Sequence, residues 1–281
     1  MVELCALEKG SCRPQDSLQV PMCFAQLLHL EARASASYCS TSVGMDLVRV
    51  PFTVGTDLAR SSAALSIGAP TAELRAAKLA EFHGSLGADL IGATGDATEG
   101  LRLLAAHLGH PGAGLEDLAL SCTEDLALLH RGVLKAIAFA FPSGFRPTAK
   151  LGLDFATVHA PVADGDALRE ASGGISAAMS RPGAMFERGV WTLTSLPSLS
   201  QHPGNPRPAL SALSELYFRT EFQVIHALGE SWAGFSVRVS MTPWNELSDE
   251  ERTLITASLS TMSPATRSYK GLHGIAELLR V

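Results

Sequence analysis

The sequence predicts an α+β fold in which helices pack on a mostly antiparallel sheet. Three observations carry this. From Leu216 to Ile225 side chains alternate with period two, Arg219, Glu221 and Gln223 against Phe218, Phe222 and Val224. From Gly234 to Met241 they alternate again, Phe235, Val237, Val239 and Met241 against Ser236, Arg238 and Ser240. A short turn at Gly229 makes the two runs a hairpin. Second, the apolar run VLKAIAFAF (Val133 to Phe141) is bounded by Gly132 and Pro142-Ser143-Gly144, which favours a buried strand. Third, helix-start signals recur, among them a capping box of Ser248 and Glu251.

In chain order, residues 1–44 are rich in Ser, Ala and Cys and form a lead-in, with a short helix expected around Phe24 to Arg33. Met45 to Phe52 suits a short edge strand, because Pro51 cannot donate to a ladder. Pro70 and Thr71 open a helix whose apolar face is Leu74, Ala77, Leu79 and Phe82, with Gly84 or Gly87 as the stop. A second helix spans about Thr98 to Leu108, and a third, short one is expected at Glu124 to Leu129. Beyond the strand and the hairpin, the helix after Ser248 uses Leu254, Ile255, Ser258 and Leu259, and a last helix covers about Gly274 to Leu279. With no internal repeat and no low-complexity linker, residues 45–281 read as a single domain.

Composition narrows the function. The 281 residues are 46% hydrophobic and 18% charged, as in globular proteins with a sizeable core. A net charge of −6 offers no excess of cations for phosphates, so nucleic acid is not an expected partner. No apolar run approaches the roughly 20 residues needed to cross a bilayer, and the first residues lack the secretory pattern. Five cysteines, none in a C-x-x-C pair, read as reduced thiols and a cytoplasmic location. The dinucleotide-binding G-x-G-x-x-G, the phosphate-loop, the G-x-S-x-G and the H-E-x-x-H motifs are absent. For a redox protein, this puts any nicotinamide or flavin on another chain.

Three segments carry a specific resemblance. Between Thr123 and Val162 stand Glu124, Asp125, Leu126, then Pro142-Ser143-Gly144-Phe145, Lys150, Gly152, and His159 followed by Ala160-Pro161-Val162. RGVWTLTSLPSL (Arg188 to Leu199) supplies an Arg-x-x-Trp element. LYFRTEFQVIHAL and GFSVRVSMTPW supply an Arg-x-Glu-x-Gln strand and a second strand with an arginine, and Tyr269-Lys270-Gly271 a tail. Together these resemble the haem-dependent oxidative N-demethylase family. The resemblance implies a PAS-like sheet enclosing haem b. It also implies oxidative removal of a methyl group from a small amine, with dioxygen and electrons from a separate reductase or electron-transfer subunit. Val190 stands where the family has a polar residue and Phe222 where it has a second arginine, so the expected variation falls around the pocket.

The resemblance makes His159 the expected axial ligand, as neutral imidazole suits haem iron; a buried histidine satisfied by a carbonyl is the alternative. His226 and Cys122 are rival ligands, Cys122 because a helix start beside it would lower its pKa. Glu221 is the expected catalytic and substrate-binding carboxylate, assisted by Gln223, since a protonated amine needs an anion and a proton acceptor. Arg219 and Arg238, expected on the same face, either neutralise Glu221 or bind haem propionates. Lys150 and Arg146 are further propionate candidates or exposed charges, and Trp191 either lines the pocket or fills the core. Two rival functions remain, a non-catalytic haem-binding sensor or subunit and a haem-free PAS-like binding module.

Overall fold

The computed structural model describes residues 45–54, 59–61, 67–179 and 181–281. The lead-in and its expected helix lie outside the described residues. In order, the elements are β1 (Ala59–Arg60), α1 (Ala72–His83), α2 (Gly87–Leu90), β2 (Ile91–Ala93), α3 (Thr98–His107) and α4 (Leu115–Leu120). Next come β3 (Asp125–His130), β4 (Val133–Ala138), α5 (Phe155–His159), α6 (Asp166–Glu170), α7 (Ser172–Met179) and β5 (Met185–Thr194). The long hairpin β6 (Tyr217–Gly229) and β7 (Trp232–Pro243) precedes α8 (Asp249–Ser260), α9 (Pro264–Tyr269) and α10 (His273–Leu279). The fold is α+β. Seven strands form one sheet in the order β1-β5-β6-β7-β3-β4-β2, with every neighbouring pair antiparallel. Among the described residues no helix is long and apolar enough to cross a membrane.

Local chemistry explains the elements that the sequence foretold. Thr71 caps α1 by accepting from the Leu74 amide at 3.2 Å, and Gly84 follows its last residue. Ser248 and Glu251 form the expected reciprocal capping box on α8. The hairpin turns at Gly229, where φ is +104°, a conformation that suits glycine.

Two expected elements are corrected. Met45 to Phe52 is not an edge strand. It opens with a 3-10 turn at Met45–Leu47 and is then tied to α8 and the turn after it by side chains. Ser258 donates to the Arg49 carbonyl at 2.5 Å, the Phe52 amide donates to Thr261 Oγ1 at 2.8 Å, and Val48 packs among Ile255 and Leu259. Glu124 to Leu129 is not a helix: Asp125–His130 is β3, hydrogen-bonded between β7 and β4. Its run Leu126-Ala127-Leu128 is buried on both faces, and such a run has no period to tell strand from helix. The strand β5 and the helices α4 and α9 carried no signal that the sequence reading used.

The sheet has two unlike faces. One packs α3 and α4 on Leu126, Leu128, Ala136 and Trp232, and α8 and α10 on Trp191, Leu193 and Phe218. The other meets α5 and α7 through Ile225, Phe186 and Phe235, and the Phe145 and Leu151 turns through Ile137, Phe139 and Val237. On this second face the β5 residues Phe186, Arg188, Val190 and Thr192 are half-buried, and the partly open strip that they form beside β6 is called the recess below.

Gly100 sets how closely α3 approaches the first face. A Cβ there would sit 2.3 Å from the Trp232 ring and 2.6 Å from Leu128. Gly100→Ala gains helix propensity of about 1 kcal/mol but overpacks the interface at a cost of about 1–3 kcal/mol. Net destabilisation is therefore expected, read as a lowered Tm; a raised Tm would show that the helix shifts freely.

Candidate functional site

The recess is built on β5 and β6. Residues directly opposite on antiparallel strands share a face, and the pairs Arg188↔Gln223, Val190↔Glu221 and Thr192↔Arg219 place these six side chains together. Across β7 the register pairs Arg219 with Met241 and Glu221 with Val239, but Phe222 with Arg238. Arg238 is thus on the opposite face from Arg219 and Glu221, a correction to the expected cluster of two arginines. Alternation fixes faces within each strand; which faces meet is set by the turn, and here the register shifts between Ala227 and Gly229.

Glu221 sits at the centre of a polar network. Its Oε1 accepts from Arg219 at 2.6 Å and from the Ser143 hydroxyl, and its Oε2 accepts from Gln223 at 2.8 Å. Arg219 is 1% exposed and fully committed. Besides Glu221 it donates to the Phe141 carbonyl at 2.9 Å and to the Leu199 carbonyl at 3.3 Å. It locks the Pro142-Ser143-Gly144 turn and the 196–202 loop onto β6, and it neutralises Glu221. A carboxylate has about four acceptor sites, so these three donors leave one on Oε2 unfilled.

His159 ends α5, whose start is fixed by Asp154 accepting from the Thr157 amide at 2.8 Å. The His159 ring lies against Phe155, 4.1 Å between centroids, and Nδ1 is 2.7 Å from the Phe155 carbonyl. That carbonyl can only accept, so Nδ1 carries the proton and the Nε2 lone pair is left available. Burial lowers the imidazole below its ordinary value; the Phe155 bond opposes this, and the Arg188 and Lys150 cations reinforce it. The ring is therefore neutral at neutral pH. Lys150 reaches toward the same helix end, 3.4 Å from the Val158 carbonyl. Arg188, the first residue of the Arg-x-x-Trp element, links the parts: it lies in electrostatic range of His159, Tyr269 and Lys270.

Lys270 enters from the C-terminal tail. Its Nζ donates to the Trp191 carbonyl at 2.9 Å and stands 5.5 Å over the Phe52 ring. Burial lowers the ammonium to about 8, Glu221 opposing and Arg188 reinforcing. Neither Arg188 nor Lys270 was singled out as a site residue from the sequence, although both stand inside the quoted motifs.

Other candidates fall elsewhere. Trp191 is on the first face, buried between Phe52 and Phe218 with ring centroids at 6.0 and 5.8 Å. Arg238 is bonded to Glu124, which also accepts from the Gly68 amide at 3.2 Å. Asp125 accepts from the Ala140 and Phe141 amides and lies 3.5 Å from the buried Lys78, so the acidic pair ties loops together. Cys122 is buried, donates to the Leu118 carbonyl at 2.8 Å, and has its thiol raised by burial, the reverse of the expected lowering, because a turn and β3 follow it. His226 is buried on the first face against His107, 3.8 Å between centroids. Phe222 also lies there, 38% exposed, away from the recess. Arg146 is exposed, 3.6 Å from Asp89.

Comparison with protein families settles the kinship. The family model described as haem-dependent oxidative N-demethylase, alpha subunit-like, matches residues 97–279. The chain belongs to this family. No curated protein matches the chain. The matched span of this N-demethylase family runs from α3 to α10 and contains His159, Arg188, Arg219, Glu221 and Lys270. Among the described residues no group of three or more His, Cys, Asp or Glu side chains is arranged to hold a bare metal ion. Haem asks less of the protein, since the porphyrin supplies four nitrogens and a single imidazole completes the attachment.

Proposed function

We propose that residues 45–281 form one PAS-like domain whose recess binds haem b through His159, and that the protein oxidises a small N-methylated substrate. The observation that carries this reading is the state of His159: half-buried, neutral, Nδ1 tied to a backbone carbonyl and Nε2 left as a lone-pair donor. Metal-binding histidines are oriented in this way. The donor set fits the group in other respects too. Phe155, Phe186 and Phe235 supply apolar wall, and Lys150 and Arg188 stand beside the ligand where two propionates need cations.

When bound, haem would supply dioxygen binding and one-electron chemistry, which no side chain here can provide. The chain's own residues position the substrate. The open acceptor site on Glu221 Oε2 takes an N–H of the substrate amine, and Gln223 and Arg219 hold the carboxylate so that it cannot swing away. In oxidative demethylation dioxygen takes two electrons from the N-methyl carbon and two from a partner protein, with two protons, giving the demethylated amine, formaldehyde and water. The alpha-subunit-like character of the family supports such a partner. Trp191 and Arg238, on the far face, are left to packing and to Glu124.

An absorption spectrum of protein purified from cells supplied with haem precursor tests the reading. A Soret band at close to one haem per chain is expected, with formaldehyde formed when reductant, dioxygen and an N-methylated substrate are added. A band without turnover would leave a haem-binding sensor or subunit, and a colourless protein a haem-free binding module.

A further inference from the structure

We infer that Asp164 is a positioning residue for the His159 imidazole: it clasps the loop that follows α5 to α9, an element anchored in the core. This rests on the reading above, in which His159 holds the haem, and adds the residue that holds His159 in place. A five-residue helix is too short to be stable by itself, so the ring direction depends on what fixes the two ends of α5. The start is tied to the sheet. Val133 and Asp154 form an antiparallel bridge. The Gly152 amide donates to the Leu134 carbonyl at 2.8 Å, and the Leu134 amide to the Leu153 carbonyl at 3.0 Å. His159 lies at the other end. There the Val162 amide donates to the His159 carbonyl at 3.0 Å, and Arg169 donates to the Val162 carbonyl at 3.2 Å. These two bonds are local: they shape the loop without attaching it to the sheet.

Asp164 makes a long-range attachment. Its Oδ2 accepts from the Thr266 hydroxyl at 2.6 Å and from the Ser263 hydroxyl, across 102 and 99 positions. Ser263 is the N-cap of α9, and its oxygen accepts from the Thr266 amide at 3.0 Å. α9 is fixed in turn. Met262 before it and Leu272 after it are buried with Trp191 and Ile255, and Arg267 donates to the Ser260 and Val281 carbonyls at 2.9 and 3.1 Å. The clasp therefore runs from the ligand-bearing loop to the core. Asp164 has φ +55°, a left-handed conformation that is uncommon outside glycine. Such strain persists where the surrounding structure over-determines it, and the two hydroxyls do so here. They also hold the carboxyl below its ordinary value, so the acceptor is ionised at neutral pH, and an ionised acceptor makes the stronger bond. The Phe155 carbonyl fixes which nitrogen of His159 carries the proton; the clasp fixes where the backbone of the ring stands. Groups that orient a metal ligand in this way tune its grip on the metal.

The test compares purified haem-loaded protein with its Asp164→Gly, Asp164→Asn and Thr266→Val variants. Glycine adopts a positive φ without strain, so it removes the clasp alone. Asparagine keeps an acceptor oxygen and tolerates the same backbone conformation. Thr266→Val is close in shape and removes one donor from the α9 side. Haem loss to an excess of a haem-scavenging globin is expected to be about tenfold faster in Asp164→Gly, the low end for residues that orient a metal ligand. The iron–imidazole stretching band in resonance Raman spectra of the reduced protein should shift, because the ring direction changes. Thr266→Val should move both readouts the same way by less, and it decides alone if Asp164→Gly fails to fold. Asp164→Asn should stay close to wild type. Unchanged haem loss and an unchanged band in Asp164→Gly, even with a lowered Tm, would overturn the inference, as would an Asp164→Asn variant as impaired as Asp164→Gly. A wild-type protein without a Soret band would strike the haem assignment and this inference with it, whereas an intact wild-type spectrum that the clasp variants leave unmoved strikes the clasp alone.

Discussion

His159→Ala is expected to strip haem from the protein, lowering the Soret absorbance per chain at least tenfold while leaving the fold in place. Losing a hydrogen-bond partner of a metal ligand already weakens metal affinity by about 10–100-fold, and here the ligand itself is removed. The side chain is half-buried at the end of a five-residue helix and belongs to no hydrophobic cluster, so its truncation leaves the sheet intact. Free imidazole in the buffer should restore part of the band by filling the vacated position. His226→Ala is the matched control. His226 lies on the opposite face against His107, and its imidazole is pushed down to about 4 by burial and by His107. Its removal should leave the Soret band unchanged. If His159→Ala kept the band and His226→Ala lost it, the pocket would have to be rebuilt on the other side of the sheet.

Arg219→Met is expected to cost about 3–5 kcal/mol, because breaking a buried ion pair leaves the remaining charge without compensation. The stranded groups are specific: Glu221 would lose its strongest partner, and the Phe141 and Leu199 carbonyls would lose their donor. For a chain of this size the loss corresponds to a fall in Tm on the order of 10 °C, measurable by thermal denaturation followed by circular dichroism. The double variant Arg219→Met/Glu221→Gln should recover part of it, since the uncompensated carboxylate is then gone. A fall of less than about 2 °C in the single variant would mean that water or another cation reaches Glu221. The same substitution frees the Pro142-Ser143-Gly144 turn from β6, so substrate binding should weaken along with stability.

Much of the site was legible one strand at a time. Period two put Arg219, Glu221 and Gln223 on a common face, and β6 keeps them there. The motif around His159 named the histidine that the fold leaves neutral with a free Nε2. Arg238 and Trp191 went astray because facing is a property of paired strands. Arg238 meets Phe222, and Trp191 meets Thr220, so both point away from the recess. Phe222 shows the same effect: where the family pattern has an arginine, the replacement lies outside the pocket, whereas Val190, the other departure, is directly opposite Glu221 inside it.

Sequence alone determined the local events: the Thr71 and Ser248 caps, the hairpin with its glycine turn, the buried strand after Gly132, and the family to which the chain belongs. These depend on neighbours within a few residues or on ordered motifs, and both are written along the chain. Tertiary structure decided that Asp125–His130 is a strand, because its apolar run has no period until β7 and β4 flank it. It also brought Lys270 to Trp191 across 79 positions and set Arg219 against the Phe141 and Leu199 carbonyls. Contacts of that separation come from sheet register and helix docking, which no stretch of the chain encodes by itself.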